Sequence, residues 1–294
     1  MKKLEGTGVA LITPFDKKNA IDFTALKKLL NHTSSGIDYY VVMGTTGESV
    51  TVTTEERKKI LQFVKDNNPA RLPIVYGIGG NNTQSVLEAI RSTDFKGVDA
   101  VLSVSPYYNK PSQQGIVEHF TTVADACPVP VILYNVPGRT ASNLSAETTL
   151  QLAKHPNIIG IKEASGNLEQ CMKISKNMPR GFLLISGDDL LTVPLYSIGA
   201  RGVISVLANA FPVTFRQMKE SAFKGDYASA QKALFNLLEI NSPMYEEGNP
   251  VGIKQVLQEM GICKNFVRLP LVPASEGLQK KIKAILKTLK NRKG

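Results

Sequence analysis

Short apolar runs and amphipathic stretches alternate along this chain from near its start to about residue 224. Eight runs read as buried strands, at 8–14, 39–44, 74–79, 100–105, 131–136, 158–163, 183–187 and 202–207. A helical pattern follows each. Leu26, Leu29 and Leu30 show the i, i+3, i+4 spacing of one helix face. Thr53-Thr54-Glu55-Glu56 reads as a capping box that opens a helix with Ile60, Leu61 and Val64 on its inner side. Asn167-Leu168-Glu169-Gln170 repeats that logic after the sixth run. Eight βα units predict an α/β protein whose parallel strands close into a (β/α)8 TIM barrel. A doubly wound open sheet is the alternative. It usually has a glycine-rich phosphate turn after its first strand, whereas here that strand runs into Thr13-Pro14-Phe15. The expected division is a catalytic barrel over residues 1–224 and a C-terminal helical extension over 225–294. Helical patterns lie around 227–240, 252–260 and 276–290, with no Pro/Gly/Ser linker between the two parts.

Composition narrows the function classes. The chain has 294 residues, 43% of them hydrophobic, which suits one large α/β domain or a domain with an appendage. No apolar run approaches the ~20 residues needed to span a bilayer. Met1-Lys2-Lys3 leads almost directly into a strand-like segment, unlike a signal peptide. The three cysteines, Cys127, Cys171 and Cys263, are scattered, against a disulfide framework or a zinc site. A cytoplasmic protein without a metal is the expectation. Net charge is +10, but Lys280, Lys281, Lys283, Lys287, Lys290, Arg292 and Lys293 lie in the last fifteen residues without an acid among them. A solvated face of a terminal helix explains that cluster. A basic tail attracts polyanions weakly, and no zinc-finger spacing or aromatic RNP-like motif points to a specific nucleic acid.

In a barrel, chemistry collects at the carboxyl ends of the strands. The sixth run, Ile158-Ile159-Gly160-Ile161-Lys162-Glu163, places a lysine inside an apolar strand. An ammonium taken from water is costly unless it is paired or neutralised. A neutral amine is a nucleophile that forms a Schiff base with a carbonyl substrate. The bland alternative is a lysine that reaches water or pairs with Glu163. Gly44-Thr45-Thr46-Gly47-Glu48-Ser49 presents hydroxyls and backbone N–H groups suited to a carboxylate, or else forms a plain helix-entry turn. Tyr107 and Tyr108 end the fourth run, suited to an interface or to proton relay. Tyr134 lies inside the fifth, and Arg139 in the loop beyond it matches a carboxylate. Asp188 and Asp189 follow the seventh run without a histidine, so a helix N-cap is favoured over a metal.

These motifs together resemble the 4-hydroxy-tetrahydrodipicolinate (dihydrodipicolinate) synthase family, within the class I, lysine-dependent aldolases that also include N-acetylneuraminate lyase. The resemblance runs from about Gly6 to about Pro273. It is carried by Gly44-Thr45-Thr46-Gly47-Glu48, Tyr107-Tyr108-Asn109, Tyr134-Asn135-Val136-Pro137-Gly138-Arg139-Thr140 and Ile161-Lys162-Glu163-Ala164. It implies condensation of pyruvate with L-aspartate 4-semialdehyde through a Schiff base on Lys162, in the diaminopimelate route to lysine, with no cofactor. By that resemblance Tyr134, Thr46 and Tyr108 form a proton relay, Thr46 being favoured over Thr45 as its middle member. Tyr108 reaches across a tight dimer interface. Thr45, Thr46, Gly187 and Ile204 line the substrate site, and Arg139 holds the semialdehyde carboxylate. A homotetramer built from tight dimers is implied, with some members stopping at the dimer.

Arg139 favours the synthase over lyases that must accept a long polyol. Sugar-acid aldolases are the runner-up, and a non-catalytic barrel is a third reading that the full set of motif residues opposes. Two departures stand out. Asn81, Tyr107 and Ser49 match contacts of the lysine-inhibition pocket found in some members. Thr54 and Arg57 stand where histidines match, and Ser85 stands where the lysine-binding acid matches, so lysine inhibition is expected to be weak or absent. Gly252 stands where proline is common, with a local effect expected.

Overall fold

A computed structural model describes residues 2–291 of the chain. Eight parallel strands close into a barrel in sequence order: β1 (Gly6–Ala10), β2 (Tyr39–Val42), β3 (Ile74–Gly77), β4 (Ala100–Val104), β5 (Val131–Asn135), β6 (Ile158–Glu163), β7 (Leu183–Ser186) and β8 (Gly202–Ser205). Pairing Gly6 with Gly202 and Gly8 with Ile204 closes the ring. Most strands end a few residues before their apolar runs do, because the chain leaves the ladder while still buried. After β1, for example, Leu11 N–H still bonds to Val41 O, but Ile12 N–H already turns to the side chain of Asn209.

Side chains alternate between two faces of each strand. Ile132, Tyr134, Ile185 and Ile204 fill the barrel's interior with Tyr39, Val41, Val75 and Leu102. Val131, Leu133 and Ile161 point outward to the helix layer. Thr53 caps the helix Thr54–Asp66 with the reciprocal box that the sequence predicts. At Asn167 only half of that motif forms. Its side chain accepts from Gln170 N–H, while the Gln170 amide reaches Glu163 instead.

Beyond the helix Pro212–Phe223, the chain continues through helices Tyr227–Phe235, Leu238–Asn241, Val251–Glu259 and Glu276–Asn291. Leu278, Ile282 and Leu286 bury one face of the last helix. Lys280 stands in solvent, and Lys281 pairs with Glu246 at 2.5 Å. The basic cluster is therefore a solvated face as far as it is described; the side chain of Lys290, and Arg292 and Lys293 altogether, lie outside what is described. A Cβ on Gly252 would fall 2.5 Å from Met244 Cα, so glycine permits close packing of Val251–Glu259 on the preceding turn. Among the described residues no helix is long and apolar enough to cross a membrane.

Candidate active site

Parity on β6 decides where Lys162 points. Ile161 belongs to the outer shell, so Lys162 faces inward, level with Tyr134 on β5 and Ile185 on β7. It is 6% exposed, so its side chain is buried rather than extended into solvent. Its Nζ lies 4.3 Å from the centre of the Tyr134 ring. Among the described residues it makes no salt bridge. Glu163, one residue on, faces the opposite way. Its carboxylate accepts from Asn135 Nδ2 (3.0 and 3.1 Å), Gln170 Nε2 (2.8 Å) and Ser165 N–H (2.7 Å). The pairing of Lys162 with Glu163 is thus ruled out by strand geometry, and the amine lies against the Tyr134 ring with no salt-bridge partner among the described residues.

The seventh and eighth strand ends adjoin this amine. Gly187 N–H bonds to Glu163 O at 2.7 Å, and a Cβ there would lie 2.5 Å from Ala164 Cβ, so only glycine lets the two loops approach. Ile204 is buried inside the barrel. Asp188 Oδ1 accepts from Leu190 and Leu191 N–H, capping the turn before the helix Thr192–Ser197 rather than the helix itself. Asp189 has another task. It is 2% exposed, its Oδ2 accepts from Leu207 N–H at 2.9 Å, and its Oδ1 has no partner among the described residues. Burial pushes its carboxyl up to about 6; Ser205 and Leu207 N–H oppose that rise, Asp188 adds to it, and Lys162 opposes it least. Among the described residues no three His, Cys, Asp or Glu side chains gather as metal ligands.

Gly44–Ser49 forms neither a simple helix entry nor an open loop. Two 3-10 turns, Thr45–Gly47 and Ser49–Thr51, meet at Glu48, which adopts a left-handed backbone (φ 53°). Thr45 is exposed and lines a cavity of about 300 Å3 with Tyr107, Tyr134 and Arg139. Thr46 is buried, and its Oγ accepts from Asn249 Nδ2 at 3.0 Å. Arg139 lies not in a loop but in the one-turn helix Pro137–Thr140, which Pro137 opens. Tyr108 is 86% exposed with φ 76°, and Tyr107 rather than Tyr108 lines the cavity. Lys162, Tyr134, Thr45, Arg139 and Gly187 are therefore gathered at one end of the barrel. Tyr134, Thr46 and Tyr108 make no direct hydrogen bond to one another among the described residues. Such contacts commonly close only around substrate.

Sequence reasoning missed the contribution of the C-terminal segment. Tyr245, 41% exposed as a residue, belongs to this neighbourhood: burial, then the charges of Asp189 and Asp188, raises its phenol above its usual range, and Arg139 opposes the rise. Lys254 is fully buried and bonded to Glu48. Its signal was a lysine beside a glutamine in the largely apolar stretch Val251-Gly252-Ile253-Lys254-Gln255-Val256-Leu257.

The model of the dihydrodipicolinate synthetase family matches residues 3–289. A 4-hydroxy-tetrahydrodipicolinate synthase of Cytophaga hutchinsonii is 54% identical over 96% of this chain and 95% of its own. Among solved structures, the chloride-inhibited dihydrodipicolinate synthase of Acinetobacter baumannii complexed with pyruvate superposes with TM-score 0.94 at 35% identity, covering 97% of this chain and 99% of that one. The enzyme of Cyanidioschyzon merolae with lysine bound gives TM-score 0.93 at 35% identity, with 98% of each chain covered.

Proposed function

We infer the activity from one premise: the chain belongs to the dihydrodipicolinate synthetase family. It condenses pyruvate with L-aspartate 4-semialdehyde to 4-hydroxy-tetrahydrodipicolinate, in the diaminopimelate route to lysine, as a Schiff-base-forming lyase. Lys162 is the amine. Its Nζ adds to the ketone carbon of pyruvate, water departs, and a carbon–nitrogen double bond remains. That bond draws electrons, so a methyl proton leaves and an enamine forms. The enamine carbon bonds to the aldehyde carbon of the semialdehyde, whose oxygen takes up a proton. The amine of the same substrate then adds to the imine carbon, the bond to Lys162 breaks, and the ring closes as the lysine is released.

The observation that carries this reading is the placing of Lys162: inside the barrel, 4.3 Å from the Tyr134 ring centre and without a carboxylate partner among the described residues. Protons move at several of these steps, which suits hydroxyl groups as carriers. Tyr134, Thr46 and Tyr108 take that role. Thr45 and Thr46, with the backbone of Gly187 and Ile204, border the pyruvate, and Arg139 receives the semialdehyde carboxylate. Tyr108 and its neighbourhood support a dimer. Val50, 81% exposed, lines the cavity and the exposed Tyr108 follows the cavity-lining Tyr107 in sequence; a second copy would bury both and supply Tyr108 to its neighbour's relay. Two such dimers make the tetramer, and the protein works in the cytoplasm.

The test is a comparison of substrates with the purified chain. Turnover of pyruvate with aspartate semialdehyde, and none in cleavage of N-acetylneuraminate or a 2-keto-3-deoxy sugar acid, is the expected result. The reverse preference would move the chain to the sugar-acid aldolases.

A further inference from the structure

One residue beyond Tyr134 and Lys162, on the same two strands, stand Asn135 and Glu163. The register pairs Tyr134 with Lys162 and Asn135 with Glu163, so the first couple faces into the barrel and the second faces out. Both members of the outer couple are buried. Asn135 spans the base of a loop. Its Oδ1 accepts from the N–H of Leu144, itself buried, at 2.9 Å. Between these two residues lies the one-turn helix Pro137–Thr140 that carries Arg139. Ala141 follows with a left-handed backbone (φ 57°), a conformation that a non-glycine residue keeps only where its surroundings fix it. Two further ties hold the loop. Thr140 Oγ1 donates to Ser142 O at 2.7 Å, and Ser142 Oγ donates at 3.2 Å to the carbonyl of Pro106, the residue before the cavity-lining Tyr107.

The amides at the base of this loop are not free to turn over. A carboxylate only accepts, so Asn135 and Gln170 must present their NH2 groups to Glu163, at 3.0 and 3.1 Å and at 2.8 Å. Asn135 Nδ2 also donates to Asn143 Oδ1 at 2.8 Å, and Asn143 Nδ2 donates to Gln170 Oε1 at 2.8 Å. Four side chains thus close a ring of hydrogen bonds. Reversing the Asn135 amide would set its NH2 against Leu144 N–H and its oxygen against the carboxylate. Glu163 therefore decides which end of Asn135 meets Leu144, and with it whether the loop is clasped. Arg139 depends on that clasp. It lines the cavity from an exposed position, and no salt bridge holds its guanidinium among the described residues.

We propose that Asn135 and Asn143, oriented by Glu163, are positioning residues for Arg139: they clasp its loop at the base and so fix where the guanidinium stands for the second substrate. This rests on the reading above in which Arg139 receives the semialdehyde carboxylate, and it concerns the second half of the reaction rather than the imine.

The two halves are measured separately. Borohydride trapping, and loss of the pyruvate methyl NMR signal in deuterium oxide, report the imine and the enamine with pyruvate alone. KM for aspartate semialdehyde reports the second half. Asn143 is exposed, so Asn143→Ala leaves no internal void; losing its hydrogen bonds should raise that KM about threefold. Asn135→Ala removes the clasp itself and should raise it about twentyfold, the scale expected when a binding group is misplaced. Both variants should trap and exchange pyruvate as the parent does. In an Arg139→Ala background neither change should add a further loss, because residues that act through one group are not additive. A purely structural role predicts instead that both halves fall together and that the losses multiply with that of Arg139→Ala. Either result in folded variants would overturn the proposal, as would a parent-like KM in folded Asn135→Ala. Should Asn135→Ala not fold, a parent-like KM in Asn143→Ala decides against it. Two other failures belong to the underlying reading: a parent that traps no pyruvate overturns the Schiff base, and Arg139→Ala with a parent-like KM for the semialdehyde overturns the role of Arg139.

Discussion

Replacing Asp189 by Asn should stabilise the protein at alkaline pH, although it alters a buried residue beside the site. The carboxyl is 2% exposed, one oxygen has no partner among the described residues, and burial raises its pKa from 3.8 to about 6. An acid whose folded pKa is raised weakens the folded state when it ionises. Below pH 3.8 both states hold the proton and nothing is lost. Between 3.8 and 6 the unfolded chain releases it while the folded one keeps it, so unfolding free energy falls as pH rises. Above 6 the full penalty persists, roughly 3 kcal/mol for a shift of about two units. An asparagine Oδ1 can still accept from Leu207 N–H, and its amide exchanges one unpartnered atom for another. Terms independent of pH cancel when variant and parent are compared at two pH values. The stability gained by Asp189→Asn should therefore be larger at pH 8 than at pH 5 by roughly 1–2 kcal/mol. Urea unfolding of both proteins, at one protein concentration and both pH values, measures that difference. A gap that is flat, or that narrows toward pH 8, would refute the reasoning.

Arg139→Ala should lower kcat/KM for aspartate semialdehyde roughly a hundredfold, the loss expected for a charged double hydrogen bond. Imine trapping with pyruvate should stay at the parent level; equal loss of both would mean that Arg139 acts on the first substrate. Lys254→Met alone leaves Glu48 buried without its partner and should cost about 3–5 kcal/mol in thermal or urea unfolding, most of it recovered in the double variant with Glu48→Gln. A double variant as unstable as the single one would show that the pair is not the source. Lysine should not inhibit at micromolar concentration. Arg57, tied by Nη2 to Ser49 O and by Nε to Val52 O, places a cation in the groove that Ser85 lines, and the acid lining that groove, Glu88, is exposed and accepts from Gln84 Nε2. A half-effect at micromolar lysine would contradict this.

The barrel was legible in the sequence because period and capping agree locally. Thr53 and Glu56 form their box within four residues of each other, and the apolar runs needed no distant partner to be recognised as strands. Lys162 was legible for the same reason: a cation in an apolar strand is conspicuous whatever surrounds it. The limits lay where an outcome depends on residues far away. The reach of Gln170 to Glu163, in place of a second capping box, follows from a buried carboxylate on the neighbouring strand. Arg139 is in a helical turn because Pro137 presets the backbone there, a local cue that went unread. The grip of Asn249 and Lys254 on the Thr45–Glu48 turn spans 203 and 206 residues, and no spacing rule encodes contacts of that kind.

The central claim, a pyruvate imine on Lys162, is open to one direct measurement. The protein is reduced with borohydride in the presence of pyruvate, digested, and its peptides are weighed by mass spectrometry. A reduced pyruvate adduct on the peptide containing Lys162, missing from Lys162→Met, is the predicted result. Adduct on another lysine, or none while the parent turns over substrate, would contradict the account.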